Sequence, residues 1–75
     1  MADDTTPSGA EWIEAFARQI GLEAPDVAAI DTLLELAGVA AHASQRTAAP
    51  IACYLVGRAG ITPADALAIA RSTHP

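Results

Sequence analysis

The sequence predicts an all-α fold, a compact bundle of four short helices. Hydrophobic residues make up 52% of the 75-residue chain, and alanine alone occurs 19 times. Alanine has the highest helix propensity, and apolar residues recur at helical spacing between glycine- or proline-containing breaks. We expect a flexible N-terminal tail over residues 1–7 and a single helical domain over residues 8–75. The four expected helices span about residues 9–20, 26–43, 48–59 and 63–72.

The first helix has clear signals at both ends. Ser8 and Glu11 have the spacing of a capping box, in which each side chain binds the other residue's free backbone N–H. Gly21 is typical of the residue that follows a helix. We expect this amphipathic helix to pack on the core, with Trp12 and Phe16 as two of the largest core residues. Its apolar face consists of Trp12, Ile13, Phe16, Ala17 and Ile20.

The second helix is predicted to begin at Pro25 or Asp26, either of which is favourable in an opening turn. Its apolar positions cover about 200° of the circumference at 100° per residue. An arc this wide suits a central helix with two neighbours. Gly38 lies inside the helix, where we expect it to allow a close helix crossing.

Pro50 interrupts the helical pattern, because its ring clashes with the preceding helical turn and it has no N–H. We therefore expect a turn or kink between Ser44 and Ala49, and a third helix that ends near Gly60. Thr62 and Pro63 have the cap and first-turn positions of a fourth helix. The expected buried positions are Ile51, Ala52, Leu55, Val56 and Ala59 in the third helix and Leu67, Ala68 and Ile69 in the fourth.

The charge distribution argues against nucleic acid as a partner. The net charge is -5, which opposes binding to a polyanion. Residues 1–35 contain eight of the nine acids, whereas residues 36–75 contain three of the four arginines, so the second half offers local positive charge. No apolar run is long enough to cross a bilayer, and the acidic N-terminus does not resemble a signal peptide. We expect a cytoplasmic protein without a membrane partner.

Polar side chains on the second and third helices form the candidate binding site. Asp31, Glu35 and His42 recur on one side of the second helix, and Arg46 joins them if the helix extends that far. If the two helices form a hairpin around the Pro50 turn, two guanidiniums, a hydroxyl and an imidazole would converge. This set suits a phosphate, a carboxylate or a partner protein. The candidate site residues are His42, Arg46, Thr47, Tyr54 and Arg58.

A simpler interpretation is that this stripe is a solvated helix face, with Glu35 paired to His42 or Arg46 and Tyr54 covering apolar surface. Catalysis has little support, because no serine or cysteine has a histidine placed to activate it. An enzyme would need His42 as a general base and Arg46 or Arg58 to stabilise an anion. The single cysteine, Cys53, is expected to be a buried small hydrophobe.

We expect neither a metal nor a cofactor, because the histidines and the cysteine lack the spacing of metal ligands. Acyl and peptidyl carrier proteins are also acidic four-helix domains of this length. However, no serine here lies in the Asp-Ser-Leu context to which carriers attach their prosthetic arm.

The stretch AGVAAHASQRTAAP over residues 37–50, continuing through Tyr54 to Gly57, resembles a small uncharacterised bacterial domain. That domain is found alone or fused to molybdenum-cofactor guanylyltransferase. The spacing of His42, Arg46 and Pro50 is the specific part of the resemblance. The family has no established reaction, so the resemblance implies a setting in the maturation of molybdenum enzymes.

From the resemblance and the polar stripe we expect a non-catalytic accessory or adaptor domain. It would bind molybdenum-cofactor guanylyltransferase, another molybdenum-enzyme maturation protein or an anionic ligand. The alternative is a structural helical module that self-associates, for example as a homodimer, without a ligand.

Overall fold

The computed structural model describes residues 6–75 and confirms the all-α fold with four helices. Every helix boundary lies within one residue of the prediction. Five of the seven residues of the expected N-terminal tail, 1–5, lie outside the described residues. No helix within 6–75 has the length and apolar character needed to cross a membrane. The helices are α1 (Gly9–Gln19), α2 (Val27–Ala43), α3 (Ala48–Ala59) and α4 (Pro63–Arg71).

Side-chain caps fix the starts of three helices. The Ser8 Oγ accepts a hydrogen bond from the Glu11 N–H at 3.1 Å, and Glu11 Oε1 accepts one from the Ser8 N–H at 2.9 Å. This is the predicted capping box. Asp26 and Thr62 each cap their helix through one side-chain oxygen. Such caps stabilise a helix by about 1 kcal/mol each, largely independently of tertiary packing.

The start of α3 has no side-chain cap and follows directly from a backbone turn. The chain turns through residues 44–47, and Pro50 lies in the first helical turn, where its missing N–H has no intrahelical partner to lose. The predicted turn before Pro50 is therefore confirmed. The helix ends at Gly60, whose φ of 72° lies in the left-handed region that favours glycine.

The core lies between α2 and its two neighbours, α3 and α4. Leu36 of α2 is the most deeply buried residue, with 2% of its surface exposed, and it packs with Ala66 and Leu67 of α4. This confirms α2 as a central helix with two neighbours. The partly buried residues around this cluster are Val39, Ala52, Cys53, Val56 and Ala70.

The prediction that α1 packs its apolar face on the core is wrong. Ala17 is the one buried residue of α1, whereas Trp12 is 54% exposed and Phe16 47% exposed. Helical periodicity identifies an apolar face but does not say which surface covers it. The extensive helix contacts are those of α2 with α3 and with α4, so α1 lies at the edge of the core.

The predicted inward face of α3 is also partly wrong. Ala52 and Val56 pack against the core as expected, but Ile51, Leu55 and Ala59 are exposed. Cys53 packs beside Ala52 and is partly buried, not fully buried as predicted. Most positions of α3 are apolar, so the sequence pattern fits several rotations of the helix about its axis.

Two expectations for small or apolar residues in α2 and α4 need correction. In α4, Leu67 is buried as predicted, but its buried neighbour is Ala66, whereas Ala68 and Ile69 are exposed. Gly38 does not mark a close helix crossing, since a Cβ built there would meet nothing within 4 Å.

Candidate functional site

The five predicted site residues lie in two separate places. His42 is in the last turn of α2, and Arg46 and Thr47 lie in the turn that leads to α3; all three side chains are exposed. Because α2 ends at Ala43, Arg46 does not continue the helical stripe that contains His42. These three residues share one end of the α2–α3 hairpin.

Tyr54 and Arg58 form the second group, on the exposed side of α3. They are four residues apart, and the Arg58 Nη1 donates a hydrogen bond to the Tyr54 Oη at 3.3 Å. Tyr54 lies seven residues beyond Thr47, which corresponds to about 10 Å along the helix axis at 1.5 Å per residue. The structure therefore joins Tyr54 to Arg58. No side-chain hydrogen bond in the described part of the chain links His42, Arg46 or Thr47 to this pair.

Glu35 pairs across the fold instead of locally. Its carboxylate binds the Arg71 guanidinium and joins α2 to α4, so the expected pairing with His42 or Arg46 is wrong. More than half of each side chain is exposed, and such a surface pair contributes at most about 1 kcal/mol. Over residues 6–75 this is the one ion pair, so no carboxylate neutralises Arg58.

An apolar groove runs between α1 and α3 and has a volume of about 650 Å³. We call it the α1–α3 groove. Arg58 is its one formally charged lining residue. Gly57 contributes no side chain, and a Cβ built there would meet nothing within 4 Å. The groove is lined by Phe16, Ile20, Leu22, Cys53, Tyr54, Gly57 and Arg58.

A second apolar groove of about 230 Å³ lies between α1 and α2. Cys53 lines both grooves, so they adjoin beneath α1. Apolar gaps therefore separate α1 from the α2–α3 hairpin on two sides. The lining residues of this second groove are Ile13, Pro25, Ile30, Leu33, Leu34, Ala37 and Cys53.

The exposed aromatic pair of α1 extends this apolar surface. Trp12 stacks on Phe16 with ring centroids 5.0 Å apart and an angle of 17° between the rings. Contiguous exposed apolar surface of this kind marks interaction sites in many proteins. The sequence signal of this surface is the amphipathic pattern of α1, which is equally typical of a helix that packs on the core.

Arg58 and Tyr54 are thus the two predicted site residues that border the α1–α3 groove, whereas Trp12 and Phe16 were not predicted as site residues. Apolar walls beside a guanidinium that has no ion pair within residues 6–75 suit a partner surface that is apolar and locally anionic.

Comparisons with curated proteins and with solved structures found no significant match. A family model described as "Domain of unknown function (DUF6457)" matches residues 4–74. This match confirms the expected resemblance to a small uncharacterised domain, and it covers nearly the whole chain. Because the match spans nearly the whole chain, the protein belongs to the DUF6457 family.

Proposed function

We propose that this protein is a non-catalytic accessory or adaptor domain that binds a partner protein through the apolar surface around α1 and α3. The observation that carries the proposal is the exposure of α1. This helix has a complete capping box, yet its apolar face is largely uncovered.

The exposed face is large enough to matter energetically. Trp12 and Phe16 are each about half exposed. An aromatic side chain buries about 150–250 Å² in a full contact, so each ring leaves about 100 Å² of surface uncovered. At about 25 cal/mol per Å², covering both rings would contribute about 5 kcal/mol before the costs of association are subtracted. A partner protein that covers α1 would gain this stabilisation.

The resemblance supplies the setting of the proposal. The domain that the chain resembles is also found fused to molybdenum-cofactor guanylyltransferase. In such a fusion each partner is at a high effective concentration near the other, which favours contact between them. We therefore propose this guanylyltransferase, or another molybdenum-enzyme maturation protein, as the partner. His42, Arg46 and Thr47, at the far end of the hairpin, offer a separate contact for an anionic ligand or an acidic partner surface.

Self-association as a structural module is the second candidate function. The stacked Trp12–Phe16 pair favours it, since two copies could cover each other's exposed rings. The net charge of -5 opposes it, because two copies repel each other at low ionic strength. Sedimentation velocity over a range of concentrations separates the two functions. If the protein is a monomer at all concentrations, self-association is refuted. If it forms a dimer that cannot bind the guanylyltransferase, the adaptor role is refuted.

Isothermal titration against molybdenum-cofactor guanylyltransferase tests the adaptor role directly. We expect the wild type to bind and a Trp12→Ala/Phe16→Ala double variant to bind at least about tenfold more weakly, which corresponds to 1.4 kcal/mol. Ile69→Ala is the matched control, because Ile69 is a similarly exposed apolar residue on α4. An absence of binding by the wild type would refute this partner. Equal binding by the double variant would place the interface away from α1.

A second variant, Arg46→Ala/Tyr54→Ala, tests whether the residues predicted from the sequence take part. The two side chains belong to different groups in the structure, so the single variants will show which end of the hairpin contacts the partner. We expect Tyr54→Ala to have the larger effect because Tyr54 borders the α1–α3 groove.

A further inference from the structure

We propose that the α1–α3 groove receives an amphipathic helix of the partner protein, and that an acidic side chain on this helix pairs with Arg58. The inference rests on the proposed function, which it deepens by naming the docking site and the chemistry of the docked segment.

The shape of the groove favours a helix. Phe16 and Ile20 line the α1 side, Tyr54 lines the α3 side, and Gly57 leaves room between them. The groove is widely open to solvent. A small ligand there would not have the 70–90% of its surface covered that binding pockets usually achieve. An amphipathic helix needs to bury only one face, with anchors at positions i, i+3 or i+4, and i+7.

The positive charge of Arg58 favours a docked helix that carries an acidic side chain. The Arg58 guanidinium has five N–H donors, and its one side-chain hydrogen bond within 6–75 goes to the Tyr54 hydroxyl. A carboxylate at the edge of the docked helix would accept bidentate hydrogen bonds from the remaining donors. A lysine at the same position would place two cations together at the edge of an apolar groove.

A second copy of this chain fits the groove less well. The apolar face of α1 is centred near Phe16, and Glu11 and Glu14 lie on the opposite side of the helix. If the α1 of another copy docked through its apolar face, these carboxylates would point away from Arg58. The partner helix must instead carry its acid beside its apolar ridge.

The area available matches a small helix-in-groove interface. Four lining side chains, Phe16, Ile20, Leu22 and Tyr54, are each about half exposed or more. At about 100 Å² each they provide about 400 Å², and Trp12 at the edge raises this to about 500 Å². A standard interface buries about 800 Å² per partner, so we expect a modest affinity that a fused or multivalent partner would strengthen.

The test is a selection of 16-residue peptides from a display library on the full-length protein. We expect the enriched peptides to share an apolar ridge with helical spacing and an adjacent Asp or Glu. Each peptide is then measured by fluorescence anisotropy against three variants. Gly57→Leu fills the groove at a position with free space, Arg58→Gln removes the charge, and Ala64→Leu adds the same leucine to an exposed site on α4.

Wild type and Ala64→Leu should bind equally, whereas Gly57→Leu and Arg58→Gln should each bind about tenfold more weakly or worse. Circular dichroism checks that each variant is folded. Cys53 gives an independent readout, since it lines the groove and is the only cysteine. A bound peptide should slow its alkylation by a maleimide at least about threefold, in proportion to occupancy.

Three results would overturn the inference: enrichment of basic peptides or of none, equal binding to Gly57→Leu, and an unchanged rate of Cys53 alkylation. The proposed function can fail separately. If acidic peptides bind the groove but the guanylyltransferase does not bind the protein, the partner is wrong and the groove stands. If the guanylyltransferase binds wild type and Gly57→Leu equally, the adaptor role stands and the docking groove is refuted.

Discussion

Two leucines of α2 provide a matched test of where the core lies. Leu36 is 2% exposed and Leu34 is 66% exposed, although they are only two residues apart on the same helix. Replacing either one by alanine removes the same atoms and gives nearly the same small gain in helix propensity. The difference in unfolding free energy between the two variants therefore reports the difference in burial of the two leucines.

The structure sets the expected magnitudes. Leu36→Ala removes a fully buried side chain and leaves a cavity, which costs about 2–5 kcal/mol. Leu34 is about one-third buried, and full burial of leucine is worth about 1.5–3 kcal/mol, so Leu34→Ala should cost about 0.5–1 kcal/mol. The higher helix propensity of alanine reduces both losses of stability by a few tenths of a kcal/mol. A chain of this length has a total stability of about 4–11 kcal/mol, so Leu36→Ala removes a large share of it.

The assay is urea unfolding followed by circular dichroism at 222 nm. With a slope of about 1 kcal/mol per M for so small a domain, Leu36→Ala should lower the unfolding midpoint by about 2 M or more. Leu34→Ala should lower it by less than about 1 M. Equal losses would show that Leu34 is covered in solution, most directly by α1. The second groove, between α1 and α2, would then be closed in solution.

Three further predictions follow from the helix ends and the surface ion pair. Gly60→Ala should lower the unfolding free energy by about 1 kcal/mol because φ is 72° there. Gly57→Ala should raise it by a similar amount, since alanine has the higher helix propensity and its Cβ meets nothing within 4 Å. Thermal unfolding measures both changes. Glu35→Gln should lower the unfolding free energy by less than about 1 kcal/mol, with the difference disappearing at 1 M salt; a larger loss would contradict the exposed geometry of its pair with Arg71. Ser8→Ala should speed amide exchange in α1 by about fivefold or more, since it removes a cap worth about 1 kcal/mol, and should leave exchange in α2 unchanged. Equal acceleration in both helices would show that α1 unfolds only with the core.

The helix boundaries could be predicted closely because local chemistry sets them. Ser8, Asp26 and Thr62 each bind a free N–H of the helix that follows, and Gly60 adopts the left-handed conformation that ends α3. Each of these interactions joins residues within four positions of one another. The central position of α2 was also predictable, because only contacts with two neighbours bury so wide an apolar arc.

The packing of α1 and the rotation of α3 could not be predicted, because they depend on contacts between distant residues. The apolar pattern around Phe16 fits a core helix and an uncovered helix equally well. Ile51 and Ala52 are neighbours in an almost wholly apolar helix, and small differences in packing decide which one faces α2.

In the candidate site, too, local sequence predicts some contacts, whereas packing between distant residues determines others. The pairing of Tyr54 and Arg58 follows from their spacing of four residues, and the structure contains it. The expected alignment of Arg46 with His42 on one helical stripe required α2 to extend three residues beyond its end at Ala43. The α1–α3 groove arises between helices that are distant in sequence, so no local pattern indicated it.

The uncovered face of α1 has a consequence for the colloidal behaviour of the protein. Eight of the nine acids lie in residues 1–35, the half of the chain that contains α1 and its exposed aromatic rings. At neutral pH the mutual repulsion of these carboxylates opposes contact between the apolar faces of different molecules. Near the isoelectric point of about 4.5 that repulsion disappears while the rings stay exposed, and the protein should precipitate most readily there. The negative charge of the acidic half thus counteracts the aggregation that its exposed apolar surface favours.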